Sequence, residues 1–353
     1  MKYEILGLFP NISLERFGGV ELSGRLAWQA IQEYSVPRKM ATQLFCYVPG
    51  ATHAENINEI IVRSKFAAAR ILLTRAFAPR VILVWHLGLL KLLPFVRVPR
   101  ARVIVFLHGI EAWRAQDVLT RRLFARVSLF LANSEFTWSR FLEYAPQLKN
   151  HSHCVLPLGA GEPMQEWTAP APNPIALMVS RLERSENYKG HREMIAAWRA
   201  VREKIPRAEL WIAGDGDLRA DLEIHARENQ VAGAVRFLGR VSESEKQNLL
   251  KQCCCFVMPS RGEGFGLAYV EAMRAGRPCL VSTLDAGMQV VNPPEAGLAV
   301  NPMNTAALVD AACRLLAQDD EWTHMARAAQ TRYAENFTAA QFQQRLLDAL
   351  TAR

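Results

Sequence analysis

The sequence lacks any long uninterrupted apolar segment. Its most apolar region, residues 81–98, is interrupted by a histidine, a lysine, a proline and an arginine, which excludes a membrane-spanning helix there. The cysteines, seven in number, include no Cys-x-x-Cys pair and predict neither a disulfide framework nor a zinc site. We expect them to be reduced thiols, mostly buried, in a cytoplasmic protein.

The glycine pattern of nicotinamide dehydrogenases, Gly-x-Gly-x-x-Gly, is also missing where the chain begins. No signal-peptide pattern precedes the first predicted strand, Tyr3 to Phe9, and a predicted helix follows from Val20 to Glu33. Gly18 and Gly19 stand directly before this helix. Because free backbone N–H groups at a helix N-terminus attract anions, the two glycines are candidates for contact with a phosphate.

Positive charge is concentrated in the first part of the chain. Residues 1–165 hold 20 Lys and Arg against 11 Asp and Glu, whereas residues 166–353 hold 22 against 23. A basic domain suits an anionic membrane surface, a nucleic acid or an acceptor that carries phosphate, and a solvated basic face without a partner is the alternative. No aromatic pattern typical of RNA-binding domains is present, so nucleic acid is not expected as a partner.

One predicted helix of this basic part runs from Asn58 to Ala78. Its basic residues are set among apolar ones, and they are Arg63, Lys65, Arg70 and Arg75. Such a helix can lie on anionic lipid with its apolar face inward, and an ordinary surface helix over a core has the same pattern. The sequence leaves both interpretations open.

Two near-continuous apolar runs, Val81 to Trp85 and Val103 to Leu107, predict parallel strands buried on both faces. Each run stops at a histidine, His86 and His108. Ligands of open parallel sheets bind beyond the carboxyl ends of the strands, so a histidine at each of two strand ends indicates a site. A single histidine is more often structural. We select His108 as the main candidate and His86 as a second candidate on the acceptor side.

A proline-rich stretch divides the chain. Four prolines fall within residues 163–174 and mark a linker, and we place the domain boundary near Glu166. The predicted domains are residues 1–165 and 166–332, followed by a last helix within residues 333–353. A chain of 353 residues, half of them hydrophobic, is long enough for two ordinary cores.

The second half begins again with a strand, a loop and a helix. The predicted strand Ile175 to Val179 and the predicted helix His191 to Lys204 enclose a loop that contains Arg181 and Lys189. Two fixed positive charges beside backbone N–H groups would stabilise a departing diphosphate, because negative charge builds on it as its bond to a sugar breaks. Taken singly, either residue could be an ordinary surface ion-pair residue.

Two further loops follow the next predicted strands. The first is the turn Gly214-Asp-Gly-Asp217, whose aspartates suit a helix cap better than a metal site. The second is Gly239-Arg240-Val241, after which Ser242 begins a helix with Glu245 in the capping-box position.

The stretch from Met258 to Ala275 holds the strongest pattern. It follows an apolar run, Cys253 to Val257, that predicts a buried strand, and it leads through three glycines into a helix. Two carboxylates, Glu263 in the loop and Glu271 in the helix, can face one ligand at the helix N-terminus. Carboxylates accept hydrogen bonds from paired sugar hydroxyls, while backbone N–H groups hold a phosphate. The pattern predicts a sugar-nucleotide site, and an acidic helix start is the alternative.

Three segments of this region resemble the donor-site motif of retaining glycosyltransferases of family 4: Glu263-Gly-Phe-Gly-Leu267, Glu271-Ala-Met273 and Gly276-Arg-Pro278. His108-Gly109, and Arg181 together with Lys189, resemble further motifs of this family. The resemblance implies the GT-B fold, in which two doubly wound, Rossmann-like α/β domains face each other across a cleft and a C-terminal helix crosses back to the first domain.

The resemblance also implies roles for individual residues. Glu271 is expected to hold the ribose hydroxyls and Glu263 the hexose hydroxyls of a nucleotide sugar. Arg181 and Lys189 are expected to stabilise the leaving diphosphate without a divalent metal, and His108 to position the donor sugar. The remaining expected donor contacts are Gly18, Gly19, Gly214, Arg240, Val241, Gly264, Phe265, Gly266 and Leu267.

We therefore predict a retaining hexosyltransferase of polysaccharide biosynthesis that uses a nucleotide sugar, a glycan acceptor and no cofactor. The run from Arg184 to His191 resembles mannosyltransferases and favours GDP-mannose slightly over a UDP-hexose. A lipid-linked acceptor and peripheral contact with the inner face of an anionic membrane are expected from the resemblance and the basic charge. The alternatives are a GT-B epimerase or hydrolase of sugar nucleotides and a non-catalytic nucleotide-binding protein.

Overall fold

A computed structural model describes residues 4–12, 18–48, 54–55, 59–74, 77–96, 100–164 and 167–352. The chain divides into two compact units. Met1–Gly159 and Ala339–Arg353 together form unit 1, and Ala160–Thr338 form unit 2.

Unit 1 is built on one large sheet. Its strands are β1 (Ile5–Phe9), β2 (Thr42–Tyr47), β3 (Ala54–Glu55), β4 (Glu59–Val62), β5 (Val81–Val84), β6 (Arg102–Leu107), β7 (Leu129–Ala132) and β8 (His153–Val155). Its helices before unit 2 are α1 (Gly19–Ser35), α2 (Lys65–Thr74), α3 (Val118–Leu123) and α4 (Glu135–Tyr144). The strand order is β3-β4-β2-β1-β5-β6-β7-β8, and the pairs are parallel except for β3 with β4.

Unit 2 repeats this architecture with a smaller sheet. Its strands are β9 (Ile175–Val179), β10 (Glu209–Ala213), β11 (Val235–Gly239), β12 (Cys255–Val257), β13 (Cys279–Ser282) and β14 (Gly297–Val300). Its helices are α5 (His191–Lys204), α6 (Arg219–Glu228), α7 (Glu243–Gln252), α8 (Leu267–Arg274), α9 (Gly287–Val291), α10 (Thr305–Leu316) and α11 (Asp320–Asn336). All pairs in the order β11-β10-β9-β12-β13-β14 are parallel.

The central strands are buried on both faces, as their apolar composition predicts. β1 and β6 carry five consecutive buried residues each, and β12 and β13 are buried throughout. Helices on both sides of a parallel sheet produce this pattern, which confirms two doubly wound, Rossmann-like domains. All seven cysteines are free, and five of them are buried.

The predicted helix from Asn58 to Ala78 is wrong over its first part. Glu59–Val62 form β4 instead, because the segment Glu-Ile-Ile-Val is rich in β-branched residues and alternates between partly buried and buried positions. The helix that follows, α2, is shorter than expected. Asn58 and Arg75 lie outside the described residues.

The last helix, α12 (Ala339–Thr351), belongs to unit 1, as the resemblance implied. Its Phe342 lies with its ring centroid 6.3 Å from that of Trp85. Arg102, at the start of β6, donates from Nη1 to the carbonyls of Ala349 at 3.0 Å and Ala352 at 2.7 Å. A guanidinium at the carbonyl end of a helix satisfies groups that have no partner within the helix.

Unit 2 begins earlier than the expected boundary. Ala160 donates its N–H to the carbonyl of Phe337 at 3.0 Å, and its own carbonyl accepts from the Tyr333 hydroxyl at 2.7 Å. Both backbone groups of Ala160 are therefore bound to the end of α11. These contacts place Ala160 with unit 2, ahead of the boundary that the prolines indicated.

Among the helices of the described residues, none has both the length and the apolar composition needed to cross a membrane.

Candidate functional site

The residues predicted from the second half of the sequence lie at one edge of the unit 2 sheet. The loops after β9, β10, β11 and β12 all leave the sheet at the carboxyl ends of parallel strands. The strand order reverses between β9 and β12, and open α/β sheets bind their ligands at such a point. The candidates on these loops and on α8 are Arg181, Lys189, Gly214, Arg240, Val241, Glu263, Gly264, Phe265, Gly266, Leu267 and Glu271.

The glycine-rich loop after β12 enters α8 through Gly266, whose φ of 88° is left-handed. A Cβ at this position would lie 2.3 Å from the ring of Tyr269, so both the backbone conformation and the close approach require glycine. Tyr269 is buried and donates its hydroxyl proton to the carbonyl of Met258 at 2.6 Å. This bond connects the first turn of α8 to the end of β12.

Glu263 has its carboxylate turned back onto this loop. The carboxylate accepts hydrogen bonds from the backbone N–H groups of Phe265 and Gly264, two of the groups expected at the donor. Loss of solvent around the carboxylate raises the pKa of Glu263 above its usual value, and the Lys189 ammonium acts in the opposite direction. The arrangement offers an acceptor group to sugar hydroxyls close to a cation.

Arg181 and Lys189 share a carboxylate that the sequence did not reveal. Lys189 Nζ lies 2.7 Å from one oxygen of Glu186, and Arg181 pairs with the other oxygen. The side chain of Glu186 is 9% exposed, against 14% for Lys189 and 54% for Arg181. Glu186 therefore supports both cations from inside the protein. Glu186 and Lys189 stand three positions apart in the sequence, and this offset between opposite charges is the local signal that could have indicated the pair.

Glu271 is buried on α8 and forms an ion pair with a residue of α7. Lys246 Nζ lies 2.7 Å from the Glu271 carboxylate and 2.9 Å from that of Glu243. Burial raises the pKa of Glu271 above its usual value, and Lys246 acts in the opposite direction. Glu271 and Lys246 come together only in the fold, so no local sequence pattern indicated this pair.

Arg277, in the third segment of the family-like motif, fixes the helix that carries Lys246. Its fully buried guanidinium donates to the carbonyl of Leu250 at 2.7 Å and to that of Lys251 at 2.8 Å. These carbonyls lie at the end of α7, where they have no partner within the helix. Arg277 thus acts on Glu271 indirectly, by holding α7 in place.

The loop that carries the two cations contacts the glycine-rich loop directly. The N–H of Arg261 donates to the carbonyl of Tyr188 at 2.9 Å. A Cβ on Gly190 would lie 2.6 Å from the carbonyl oxygen of Pro259, and Gly190 has a left-handed φ of 83°. Lys189 and Glu263 are therefore held on two loops that touch each other.

Gly214 follows β10 and packs against the cation loop, residues 180–190, which carries Arg181 and Lys189. A Cβ there would lie 1.7 Å from the carbonyl oxygen of Ser180, at a φ of 139°. The N–H of Gly214 donates to the carbonyl of Gly239 at 2.8 Å, and Arg240 and Val241 follow in the chain. The predicted nucleotide-side residues are thus brought together.

Asp217 in the Gly214 turn accepts the N–H of Arg184 at 2.8 Å, so it fastens the cation loop. Asp215 accepts the N–H of Gly216 at 3.0 Å within the turn itself. In the described ranges, no three His, Cys, Asp or Glu side chains come together as a metal site would require.

In unit 1, His108 lies at the carboxyl end of β6 and is buried. Its Nε2 lies 2.6 Å from the carbonyl oxygen of Trp85. Because a carbonyl oxygen only accepts, Nε2 carries the proton and Nδ1 is the acceptor nitrogen. Burial lowers the pKa of His108 to about 4, with Glu111 opposing and His86 reinforcing the shift. The ring is therefore neutral at pH 7.

The backbone of His108 is held as firmly as its ring. Its N–H donates to Glu111 Oε1 at 2.6 Å, and its carbonyl accepts from Asn133 Nδ2 at 2.6 Å. His108 thus has a fixed main chain as well as a fixed side chain.

His86 is a neighbour of His108, with ring centroids 6.4 Å apart. Its Nδ1 accepts the N–H of Gly88 at 3.1 Å, so it also caps the 3-10 helix Leu87–Phe95. Gly19 begins α1 directly after Gly18, and the Trp85 indole donates to the Val20 carbonyl in the first turn at 3.2 Å. The predicted unit 1 residues therefore surround the carboxyl ends of β1, β5 and β6.

Residues 173–318 match the family model described as glycosyl transferases group 1. The chain is 34% identical over 161 residues to the glycogen synthase of Mycobacterium tuberculosis, covering 46% of this chain and 38% of that protein. It is 32% identical over 164 residues to a phosphatidyl-myo-inositol mannosyltransferase of the same organism, covering 44% and 43%. The matches thus span less than half the length of these two relatives.

The whole chain has a close structural counterpart. The Anabaena protein HepE, solved in complex with UDP-glucose, aligns with a TM-score of 0.78 at 18% identity and covers 99% of this chain and 100% of its own. An alignment over both units at this TM-score confirms the GT-B fold. Together with the family match, it shows that residues 173–318 are a glycosyl transferases group 1 domain within a chain of the GT-B fold.

Proposed function

We propose that the protein is a retaining glycosyltransferase that moves a hexose from a nucleoside diphosphate to an acceptor hydroxyl. The observation that carries this proposal is the grouping of Lys189, Arg181 and Glu263 on touching loops at the switch point of the unit 2 sheet. Two cations suit a diphosphate, and a carboxylate beside them suits the hydroxyls of the attached sugar. The homologous glycogen synthase and mannosyltransferase support a hexosyl substrate.

In this proposal each group has one task. Glu271 accepts hydrogen bonds from the ribose hydroxyls, and Glu263 from the hexose hydroxyls. The main chain of residues 239–241 and Gly214 lines the base. Residues 264–267 line the donor, and the N–H groups of Gly264 and Phe265 hold the Glu263 carboxylate beside it. Gly18 and Gly19 face a phosphate from unit 1, and His108 holds the donor sugar, with His86 on the acceptor side.

The chemistry we propose is attack on the same face of the hexose from which the diphosphate departs. The bond between the anomeric carbon and the phosphate oxygen breaks, the acceptor oxygen bonds to that carbon, and the acceptor proton passes to the leaving phosphate. Arg181 and Lys189 stabilise the charge that grows on the diphosphate, so no divalent metal is needed in this scheme. A metal-independent reaction distinguishes it from diphosphate chemistry that relies on Mg²⁺.

The donor we favour is GDP-mannose, with a UDP-hexose as the second candidate. The first rests on the resemblance of residues 184–191 to mannosyltransferases and on the similarity to a mannosyltransferase of M. tuberculosis. The second rests on HepE, which was solved with UDP-glucose.

A thermal-shift panel tests the donor site. GDP, UDP, ADP and dTDP, and their hexose conjugates, are added with and without EDTA to the wild type and to Glu271→Ala. We expect one base to raise the melting temperature in EDTA, since a ligand at 100 times its Kd adds about 2.7 kcal/mol. Glu271→Ala should lose most of this rise, because the ribose hydroxyls lose their acceptor.

Glu295→Ala, an exposed glutamate of the same unit, is the matched control and should keep the full rise. No stabilisation of the wild type by any nucleotide would overturn the donor site. Conversion of the donor without any acceptor, seen by product analysis, would favour the epimerase or hydrolase. Binding without turnover on any acceptor would favour a non-catalytic nucleotide-binding protein.

We extend the proposal to a lipid-linked acceptor and a peripheral contact with an anionic membrane. The support is the excess of basic residues in residues 1–165 and the exposure of α2, where Phe66 is 89% exposed and Leu73 39% exposed. Arg63 and Arg70, on and beside α2, are also exposed. An aromatic ring flanked by cations suits the interface of an anionic bilayer.

Co-sedimentation with vesicles checks this contact. We expect the protein to bind vesicles containing phosphatidylglycerol and not vesicles of phosphatidylcholine alone. Phe66→Asp should weaken binding about 10-fold, because it removes the ring that would enter the bilayer interface and adds a negative charge that anionic lipid repels. Val36→Asp, at an apolar residue of unit 1 that is 70% exposed, is the control and should bind as the wild type does. Equal binding by the two variants would exclude α2 as the contact.

A further inference from the structure

The main chain of Glu263 is bound on both sides by residues that the sequence did not single out. Its N–H donates to Asp285 Oδ2 at 3.1 Å, and its carbonyl accepts the N–H of Ala286 at 3.1 Å. Asp285 and Ala286 lie between β13 and α9, on a different loop from Glu263. Asp285 and Ala286, which are adjacent in the chain, thus bind both the N–H and the carbonyl of Glu263 in the glycine-rich loop.

Asp285 uses both of its oxygens in this contact. While Oδ2 accepts from Glu263, Oδ1 accepts the N–H of Gly287 at 2.9 Å. Ser260, earlier in the glycine-rich loop, adds a side-chain hydrogen bond to the same carboxyl group. A Cβ on Gly287 would lie 3.1 Å from Asp285 Oδ1 and 2.9 Å from the Cβ of Val281. Glycine at position 287 therefore leaves space for the Asp285 carboxyl group.

The buried environment of Asp285 disfavours the charged form of its carboxyl group. The residue is 3% exposed, and burial raises its pKa to about 7, with Glu263 adding to the shift. Within the part of the chain that the structure describes, no Lys or Arg forms an ion pair with the carboxyl group. A buried acidic residue without an ion-pair partner lowers the stability of the fold. The hydrogen bonds of Asp285 to the glycine-rich loop offset part of this cost.

These contacts fix the main chain of Glu263, and its carboxylate in turn accepts the N–H groups of Gly264 and Phe265. We propose that Asp285 is a positioning residue that holds the Glu263 carboxylate where the hexose of the donor binds. The inference rests on the proposed function, in which Glu263 accepts hydrogen bonds from the hexose. It adds that the loop between β13 and α9 determines how well the sugar is held, while the nucleotide is held by other loops.

Asp285→Asn provides the test, because it preserves size and replaces one acceptor oxygen by an N–H₂ donor. Both oxygens accept backbone N–H groups, so whichever way the amide turns, it places a donor against a donor. We expect kcat with the sugar nucleotide to fall about 30-fold, since small displacements of a binding group are costly. The Kd of the nucleoside diphosphate without its sugar should stay within about 3-fold of the wild type.

The matched control is Asp319→Asn, which makes the same chemical change in the same unit. Asp319 caps α11 by accepting a single N–H, that of Trp322 at 2.9 Å, and an asparagine oxygen can replace it. Its kcat should equal that of the wild type. If Asp285→Asn does not fold, Ser260→Ala is the second variant; it removes one hydrogen bond to Asp285 and the acceptor of the Gly262 N–H in the same loop. It should lower kcat about 3-fold and leave the Kd of the nucleoside diphosphate within about 3-fold of the wild type.

The inference is overturned if Asp285→Asn turns over at the wild-type rate. It is also overturned if the nucleoside diphosphate and the turnover are lost together, because that result means a collapsed loop and not a misplaced sugar contact. A wild type that binds no nucleoside diphosphate would be a different result, since it would refute the proposed function itself.

Discussion

Lys189→Met should lower kcat by about 10²- to 10³-fold while changing the Kd of the nucleoside diphosphate much less. Methionine keeps the length and apolar stem of lysine at a position that is 14% exposed, but it carries no charge. The missing charge matters most when the diphosphate departs, and a donor aimed at developing charge contributes about 2.7–4 kcal/mol. Steady-state kinetics together with nucleotide titration measure both quantities.

Arg181→Met should have a smaller effect, because its side chain is 54% exposed and water screens its charge. The control is Arg184→Met on the same loop, an exposed arginine whose ion pair is with Asp221 at 3.1 Å. This control should retain full kcat. Equal losses in all three variants would show that the loop responds to lost charge in general, and the diphosphate assignment would then fail.

Gly214→Ala should destabilise unit 2 by about 3 kcal/mol or more and remove most of the affinity for nucleotide. The added methyl group would lie 1.7 Å from the carbonyl oxygen of Ser180, and the φ of 139° is one that alanine rarely adopts. The nearest atoms all belong to the backbone of Ser180 and not to a flexible side chain, so the main chain at Ser180 must move. Urea denaturation and nucleotide titration report the two effects.

Gly233→Ala is the matched control for this change. It lies in the same unit, and a Cβ there meets nothing within 4 Å. The same added methyl group should change the free energy of unfolding by less than about 1 kcal/mol. If both variants lose the same free energy of unfolding, the close approach of Gly214 to Ser180 does not explain why glycine is required at position 214.

The sequence predicted most of the fold because parallel strands buried on both faces leave a clear apolar signature. The strands β1, β5, β6 and β9 were found near their observed bounds for this reason. The four-residue strand β4, which lies between β2 and the two-residue edge strand β3, was not predicted from the sequence. It is short, and α2 begins three residues after it, so one helical pattern covered both elements.

The candidate site was predicted only where neighbours in sequence are neighbours in space. The glycine-rich loop and the loop with Lys189 are local patterns, and the sequence indicates both. Lys246 and Asp285 reach Glu271 and Glu263 from other helices and loops. One chain without aligned relatives contains no signal for such pairs, because their meeting depends on how the strands are ordered in the sheet.

The return of residues 339–353 to unit 1 has a consequence for biosynthesis. The ribosome synthesises residues 1–159 first, but α12, which packs against α1 and Trp85, is made only after unit 2. Unit 2 takes roughly 10–35 s to synthesise at the usual 5–20 residues per second. During that interval the apolar surface that will receive Phe342 and Leu346 stays uncovered. Unit 2, although second in the sequence, is therefore the first of the two that can finish folding.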